Sequence, residues 1–167
     1  MPKDNQNELF YFVDDNDQVI GSVKRSEAHQ SNSIKHRSIF ILLFNEQNEL
    51  LLQKRSQGKD TFPGFWTISV SGHVIYGQSY DEAAMREMQE EVGLTLELQQ
   101  MQKIYLKEER EFAFIYKSTC LKETVLNFDE DEIDEVKWIN LKNLAAFVET
   151  NNMTPSALTV LKASNLI

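Results

Sequence analysis

The stretch that decides the fold is Arg86-Glu87-Met88-Gln89-Glu90-Glu91-Val92-Gly93-Leu94, with Gly72 upstream of it. Glu87, Glu90 and Glu91 stand at i, i+3 and i+4, so a helix here carries all three on one face. At roughly 100° per residue they fall within about 100° of arc. Met85, Met88 and Val92 fall on the far side, as a stripe to bury. One helix thus turns an apolar side to a core and a dense anionic side to a cavity or to water. Three carboxylates that close repel unless a divalent cation or a base neutralises them. Their hard oxygens suit magnesium or manganese, and such an ion is the natural partner of a diphosphate. Taken alone, the triplet is more often a solvated acidic face than a site.

The rest of the composition narrows the class. With 167 residues the chain holds one domain with a real core. No apolar run approaches the length that spans a bilayer, and the N-terminus lacks the basic-then-apolar pattern of a signal peptide. The single cysteine, Cys120, has no internal partner, which fits a reducing compartment. A cytoplasmic protein that does not touch the membrane is therefore expected. The net charge of −9 makes it a poor binder of nucleic-acid polymers. Nucleotides remain eligible ligands, because a bound metal inverts the local sign. The acidic run from Phe128 to Val136 reads most simply as a solvated loop before a strand.

Along the chain, residues 9–14 and 18–24 read as a hairpin turned by Asp14-Asp15-Asn16-Asp17, and 25–33 as a short helical or irregular piece. His36–Phe44 and Glu49–Arg55 make the clearest hairpin. Ile39, Ile41 and Leu43 alternate with Phe40, Leu42 and Phe44, so that strand is apolar on both faces and central. A short strand is expected over Thr67–Val74. Ser79 with Glu82 forms a capping box, and the helix it starts runs to about Val92. Strands follow near 95–107, 111–121 and 135–140. Helices are expected over 141–149 and 155–163, the second capped by Thr154 with Pro155 in its first turn. This order suggests an α/β/α sandwich around a mixed sheet.

From Gly72 to Leu94, GHVIYGQSYDEAAMREMQEEVGL resembles the signature of the Nudix superfamily, the MutT-like hydrolases. Every fixed position matches except the first glutamate, which is Gln78 here. The resemblance implies that Glu87, Glu90 and Glu91 are the metal ligands, with Glu90 or Glu91 helping to activate water. It implies that Arg86 orients the loop through Gln78, whose amide accepts a hydrogen bond without supplying charge. Gly72 and Gly93 are expected to allow tight turns at the two ends. The resemblance also implies an alternative for the acidic run at 128–136, since in Nudix proteins an acidic loop at this point can reach the active site. The order of elements resembles the Nudix fold over nearly the whole chain, and many members dimerise, which makes a homodimer an expected state.

A second constellation is His29, His36, His73, Glu109 and Glu111. Alternation on a strand sets Glu109 and Glu111 on one side. Spacing alone does not assemble these five. Ala28-His29, His36, Gly72-His73 and Glu109-Arg110-Glu111 resemble the pattern by which the isopentenyl-diphosphate isomerases, a branch of the Nudix fold, gather one metal. Phe62-Pro63-Gly64-Phe65-Trp66-Thr67 is also similar to that branch. Ser71, however, stands where the isomerase needs a cysteine, and a serine hydroxyl is a poor substitute for its proton transfer. Isomerase-like Nudix hydrolases share the hairpin and the His36-Arg37 pair and lack that cysteine.

The expected activity is therefore hydrolysis of a diphosphate linkage in a nucleoside diphosphate derivative, with magnesium or manganese. Isomerisation and binding without turnover are the alternatives. Lys54 and Arg55, ending a core strand, are candidates to steady phosphate charge, although an exposed strand end explains them as well. Phe65 and Trp66 are candidates to stack on a base, although core packing is the commoner use of aromatics beside a Pro-Gly turn.

Overall fold

A computed structural model describes residues 4–167. The chain begins with a hairpin of β1 (Leu9–Val13) and β2 (Val19–Lys24), followed by a short helix α1 (Arg25–Gln30). Four strands come next: β3 (His36–Asn45), β4 (Glu49–Arg55), β5 (Trp66–Ile68) and β6 (Val70–His73). Helix α2 (Tyr80–Val92) precedes β7 (Gln99–Leu106), β8 (Glu111–Cys120) and β9 (Ile133–Asn140). A 3-10 turn, Leu141–Asn143, leads into α3 (Leu144–Thr150) and α4 (Pro155–Ala163).

β3 is the hub. It runs parallel to β8 from His36↔Glu111 to Asn45↔Cys120 and antiparallel to β6 from Ser38↔His73 to Ile41↔Val70. β7 pairs antiparallel with the outer side of β8. β4 is flanked by β9 and β5, and meets β3 only beside their shared turn, at Phe44↔Leu50. The mixed sheet therefore splays into two halves from that hairpin, and the cavity described below is lined from both.

Alternation on β3 is satisfied on both sides. Ile39, Ile41 and Leu43 pack with Ala83, Ala84, Met88 and Val92 of α2. Phe40 and Leu42 pack with Leu144 of α3 and with Ala157, Val160 and Leu161 of α4. This is the expected α/β/α sandwich.

Several local expectations change. Met85 is 57% exposed rather than buried. The packing stripe of α2 is Ala84, Met88 and Val92 at four-residue spacing, and Met85 lies one residue, about 100°, off it. The strand expected over Thr67–Val74 is two strands broken at Ser69. There the Ser69 hydroxyl accepts the Leu43 N–H at 2.9 Å and donates to the Leu51 carbonyl at 2.6 Å. A side chain replaces two ladder partners, so the backbone can cross from the β4 half to the β3 half. β7 starts at Gln99, later than read, and β9 at Ile133, earlier. Helix α2 has its capping box at Ser79 and Glu82, and ends on Gly93 at φ 71°, a left-handed cap that glycine adopts without strain. Cys120 ends β8, half-buried with a free thiol. Among the described residues, no helix is long and apolar enough to cross a membrane.

Candidate active site

The α2 carboxylates meet His29, His73 and Glu111 in one cavity of ≈ 570 Å³, with His36 buried behind them. Strand β6 joins them residue by residue. The Ser71 N–H donates to Glu91 Oε2 at 3.2 Å. Gly72 faces Glu87, and a Cβ there would lie 2.1 Å from the Glu87 Cδ. His73 Nε2 contacts Glu111 Oε1 at 3.1 Å. The role of Gly72 thus differs from the expected tight turn. It sits in a regular ladder opposite Ile39, and the glycine is needed for clearance.

The three glutamates are not equivalent. Glu87 and Glu91 are inside the cavity wall, whereas the Glu90 side chain is 59% exposed. Gln53 donates to Glu91 Oε2 at 2.8 Å. Arg86 bridges the rest: its Nη1 reaches Glu87 Oε1 at 2.8 Å and Glu90 Oε2 at 3.1 Å. Its Nε donates to Gln78 Oε1 at 3.2 Å and its Nη2 to the His73 carbonyl at 3.0 Å. Gln78 therefore serves as a neutral acceptor that steers the guanidinium toward the acids.

Burial, followed by the neighbouring Glu91 charge, pushes Glu87 up to about 8. Burial pushes Glu91 up to about 7 against the hydrogen bonds from Gln53 and Ser71. Paired buried carboxylates of this kind, with oxygen donors facing one space, fit a hard divalent cation. Between the ordinary carboxylate value of 4.5 and about 8 the folded state holds protons that the unfolded chain has released. Stability without metal therefore falls as pH rises through that window. Chelator-treated protein should melt at a lower temperature at about pH 8.5 than at about pH 6, and saturating magnesium or manganese should shrink the difference. Equal melting temperatures at the two pH values would show that the acids carry no such strain.

The second cluster comprises His29, His36, His73 and Glu111, with one donor atom each, all within 4.8 Å of one another. His36 Nε2 lies 3.2 Å from Glu111 Oε1, and His29 Nε2 lies 3.3 Å from His73 Nε2. Phe10 stacks on His36 and His73 and closes the outer side. Burial lowers His73 to about 3, against the pull of Glu111, so its imidazole is neutral. Burial pushes Glu111 up, but hydrogen bonds with His36 and His73 outweigh it and hold the carboxyl well below its usual range. Converging imidazole nitrogens around an ionised carboxylate fit a borderline transition metal. Glu109, expected beside Glu111, is outside this group. It lies in the turn before β8, where strand alternation does not apply, although it lines the same cavity.

The substrate-binding candidates also divide. Arg55 lines the cavity, held by the Thr61 carbonyl and hydroxyl at 3.0 and 3.2 Å. Lys54 is not among the lining residues, because adjacent positions on β4 point to opposite sides. Trp66 is in the core, edge-on to Phe147 at 5.2 Å, and is no base-stacking platform. Phe65 packs on Phe62 at 5.5 Å, and Phe62, 40% exposed, is the aromatic at the rim. Asp129 and Glu132 bring the acidic loop to the cavity, which is the alternative to the solvated-loop reading. Sequence reading also missed Arg25, Lys59 and Gln53. They come from α1, the β4–β5 loop and β4, and no spacing connects them.

The NUDIX domain profile matches residues 34–160. This chain belongs to the Nudix superfamily and is a hydrolase acting on diphosphate bonds. Such enzymes generally use divalent metals. The chain is similar to a prenyl-diphosphate phosphatase of Methanosarcina mazei, 35% identical over 150 residues, covering 86% of this chain and 87% of the relative. It is also similar to an isopentenyl-diphosphate delta-isomerase of Photorhabdus laumondii, 32% identical over 160 residues, covering 92% and 87%. Among solved structures, a protein of Deinococcus radiodurans matches with a TM-score of 0.81 over 93% of this chain and 98% of that one. Its identity is 22%, a likeness of fold alone.

Proposed function

We propose that this protein hydrolyses the diphosphate linkage of a nucleoside diphosphate derivative, a small-molecule substrate, with magnesium or manganese held by Glu87, Glu90 and Glu91. The observation that carries this reading is the pairing of those acids with Arg25, Arg55 and Lys59 around one cavity. A diphosphate needs positive charge along its length, and a cation on the acids supplies Lewis acidity to its oxygens. The side chains supply the rest. Arg55, whose charge no carboxylate pairs among the described residues, takes one phosphate of the diphosphate linkage. Glu90 or Glu91 takes the proton of the attacking water. The new P–O bond forms to that water oxygen, the bridging P–O bond breaks, and two phosphate-bearing products leave.

The organic half meets polar walls. Ser38, Thr67 and Thr154 line the cavity with little exposure, and Phe62 offers a ring at the rim. Hydroxyls inside and an aromatic outside suit a ribose and a base. A second reading, hydrolysis of a prenyl diphosphate, is favoured by the likeness to the archaeal phosphatase and by Phe40 on the inner wall. Isomerase chemistry is disfavoured because Ser71, which lines the cavity, offers no acidic proton.

One screen separates these readings. Nucleoside diphosphate derivatives and prenyl diphosphates are incubated with magnesium or manganese, and products are read by phosphorus NMR. Phosphate-bearing fragments from the nucleoside set support the first reading. Turnover of the prenyl set alone moves the assignment to the second. Interconversion of five-carbon diphosphates without phosphate release, or binding with no product, overturns both.

A further inference from the structure

Two of the cations that line the cavity, Lys59 and Arg25, are already paired with a carboxylate of an early residue, Asp4. Asp4 Oδ1 lies 2.7 Å from Lys59 Nζ and 3.3 Å from Arg25 Nη2. Its side chain is only 8% exposed, and its other oxygen, Oδ2, is buried with no hydrogen-bond partner. Asp4, Arg25, Lys59 and Arg55 all line the cavity that holds the α2 acids. An anion with two oxygens, bound between an ammonium and a guanidinium, is placed there as a phosphate group would be.

We infer that Asp4 is a built-in competitor for the diphosphate, displaced from Lys59 and Arg25 when substrate binds. This inference rests on the diphosphate reading above. Three features make the displacement feasible. First, the cations do not become unpaired when Asp4 leaves. Lys59 keeps Glu132, and Arg25 keeps Asp60 at 3.4 Å and Glu8 at 3.8 Å. Second, Arg25 Nη2 is shared between Asp4 at 3.3 Å and Asp60 at 3.4 Å, so the guanidinium is not committed to Asp4 alone. Third, the segment is anchored just past Asp4. The Ser26 N–H donates to the Gln6 carbonyl and the Arg25 N–H to the Glu8 carbonyl. Gln6 Nε2 also donates to the Asp4 carbonyl at 3.1 Å, so the carboxylate turns about its own side-chain bonds while the backbone and hairpin stay in place.

A competitor that fills the subsite most of the time weakens the apparent affinity by the fraction of time the subsite is open. Binding of inorganic diphosphate, in the presence of magnesium, is measured by calorimetry on the full chain. Asp4→Asn should bind about tenfold more tightly than the natural protein, as expected if the subsite is open about a tenth of the time. Asp4→Glu, which keeps the charge, should stay within about threefold of it. The KM of whichever diphosphate substrate is turned over should fall in step for Asp4→Asn. Unchanged or weaker binding by Asp4→Asn, with its unfolding temperature preserved, overturns the inference. The parent reading has its own control. If Arg55→Gln abolishes binding while Asp4→Asn leaves it unchanged, only the competitor role fails. If neither the natural protein nor Asp4→Asn binds inorganic diphosphate, the cationic subsite and the competitor fall together.

Discussion

Glu91→Gln should reduce kcat on the order of 10³-fold, the middle of the range for removing a group that handles a proton in the transition state. Glu91 is, with Glu87, one of the two inward members of the triplet, and it is tied to both halves of the sheet. Gln53 on β4 and the Ser71 N–H on β6 both donate to its Oε2. An amide at this position keeps one acceptor oxygen and much of the shape. On the proposed reading it loses the charge that would hold a divalent cation and the basic oxygen that would take a proton. Glu90→Gln is expected to cost less, because Glu90 is largely exposed and already shares its charge with Arg86. The two variants are compared on one substrate, with divalent-cation affinity measured in parallel. A Glu91→Gln enzyme within about threefold of the natural kcat would remove Glu91 from the reaction and leave the proton to Glu90.

Gly72→Ala should be the most damaging single-methyl change in the molecule. The added Cβ would lie 2.1 Å from the Glu87 Cδ and 2.2 Å from its Oε1. No arrangement of the present side chain tolerates such a contact, and Glu87 is not a free end. Arg86 holds its carboxylate at 2.8 Å. The carboxylate must therefore leave its position, and Arg86 must follow or lose its partner. A catalytic group displaced by about 1 Å costs on the order of 10² in rate. A disturbed ligand environment weakens metal binding by roughly 10- to 100-fold. Because Gly72 lies in an ordinary strand, the backbone itself has no reason to fail, and the unfolding temperature should drop by only a few degrees. Calorimetric metal binding and melting curves test both halves. Normal metal affinity in Gly72→Ala would show that Glu87 contributes nothing to holding the ion.

The two variants mark what can be read locally and what cannot. The i, i+3, i+4 spacing puts Glu87, Glu90 and Glu91 on one helix face, and that much is visible in the chain. Which of them points inward depends on how far α2 is rotated against β3. The packing of Ala84, Met88 and Val92 sets that rotation, and it leaves Met85 in solvent against the simple stripe reading. Histidines 29, 36 and 73 could be assembled only through a resemblance, since they come from α1, β3 and β6. Register does the rest: His36 faces Glu111 across the parallel ladder, and Ser38 faces His73 across the antiparallel one. Glu109 misses the cluster because β8 begins two residues later than the alternation required.

By itself, the amino-acid order determined the class of fold, the capped helix with its three acids, and the doubly buried central strand. These follow from periodicity and capping, which act over a few residues. Tertiary structure alone decided that Trp66 is core, that Arg25, Arg55 and Lys59 form one cationic wall, and that Asp4 sits on two of them. Such groups are distant along the chain, and only the crossing at Ser69 and the splay between β3 and β4 bring them to one cavity. Charge interactions fall off over ångströms of space rather than positions of sequence, so no spacing rule could have announced them.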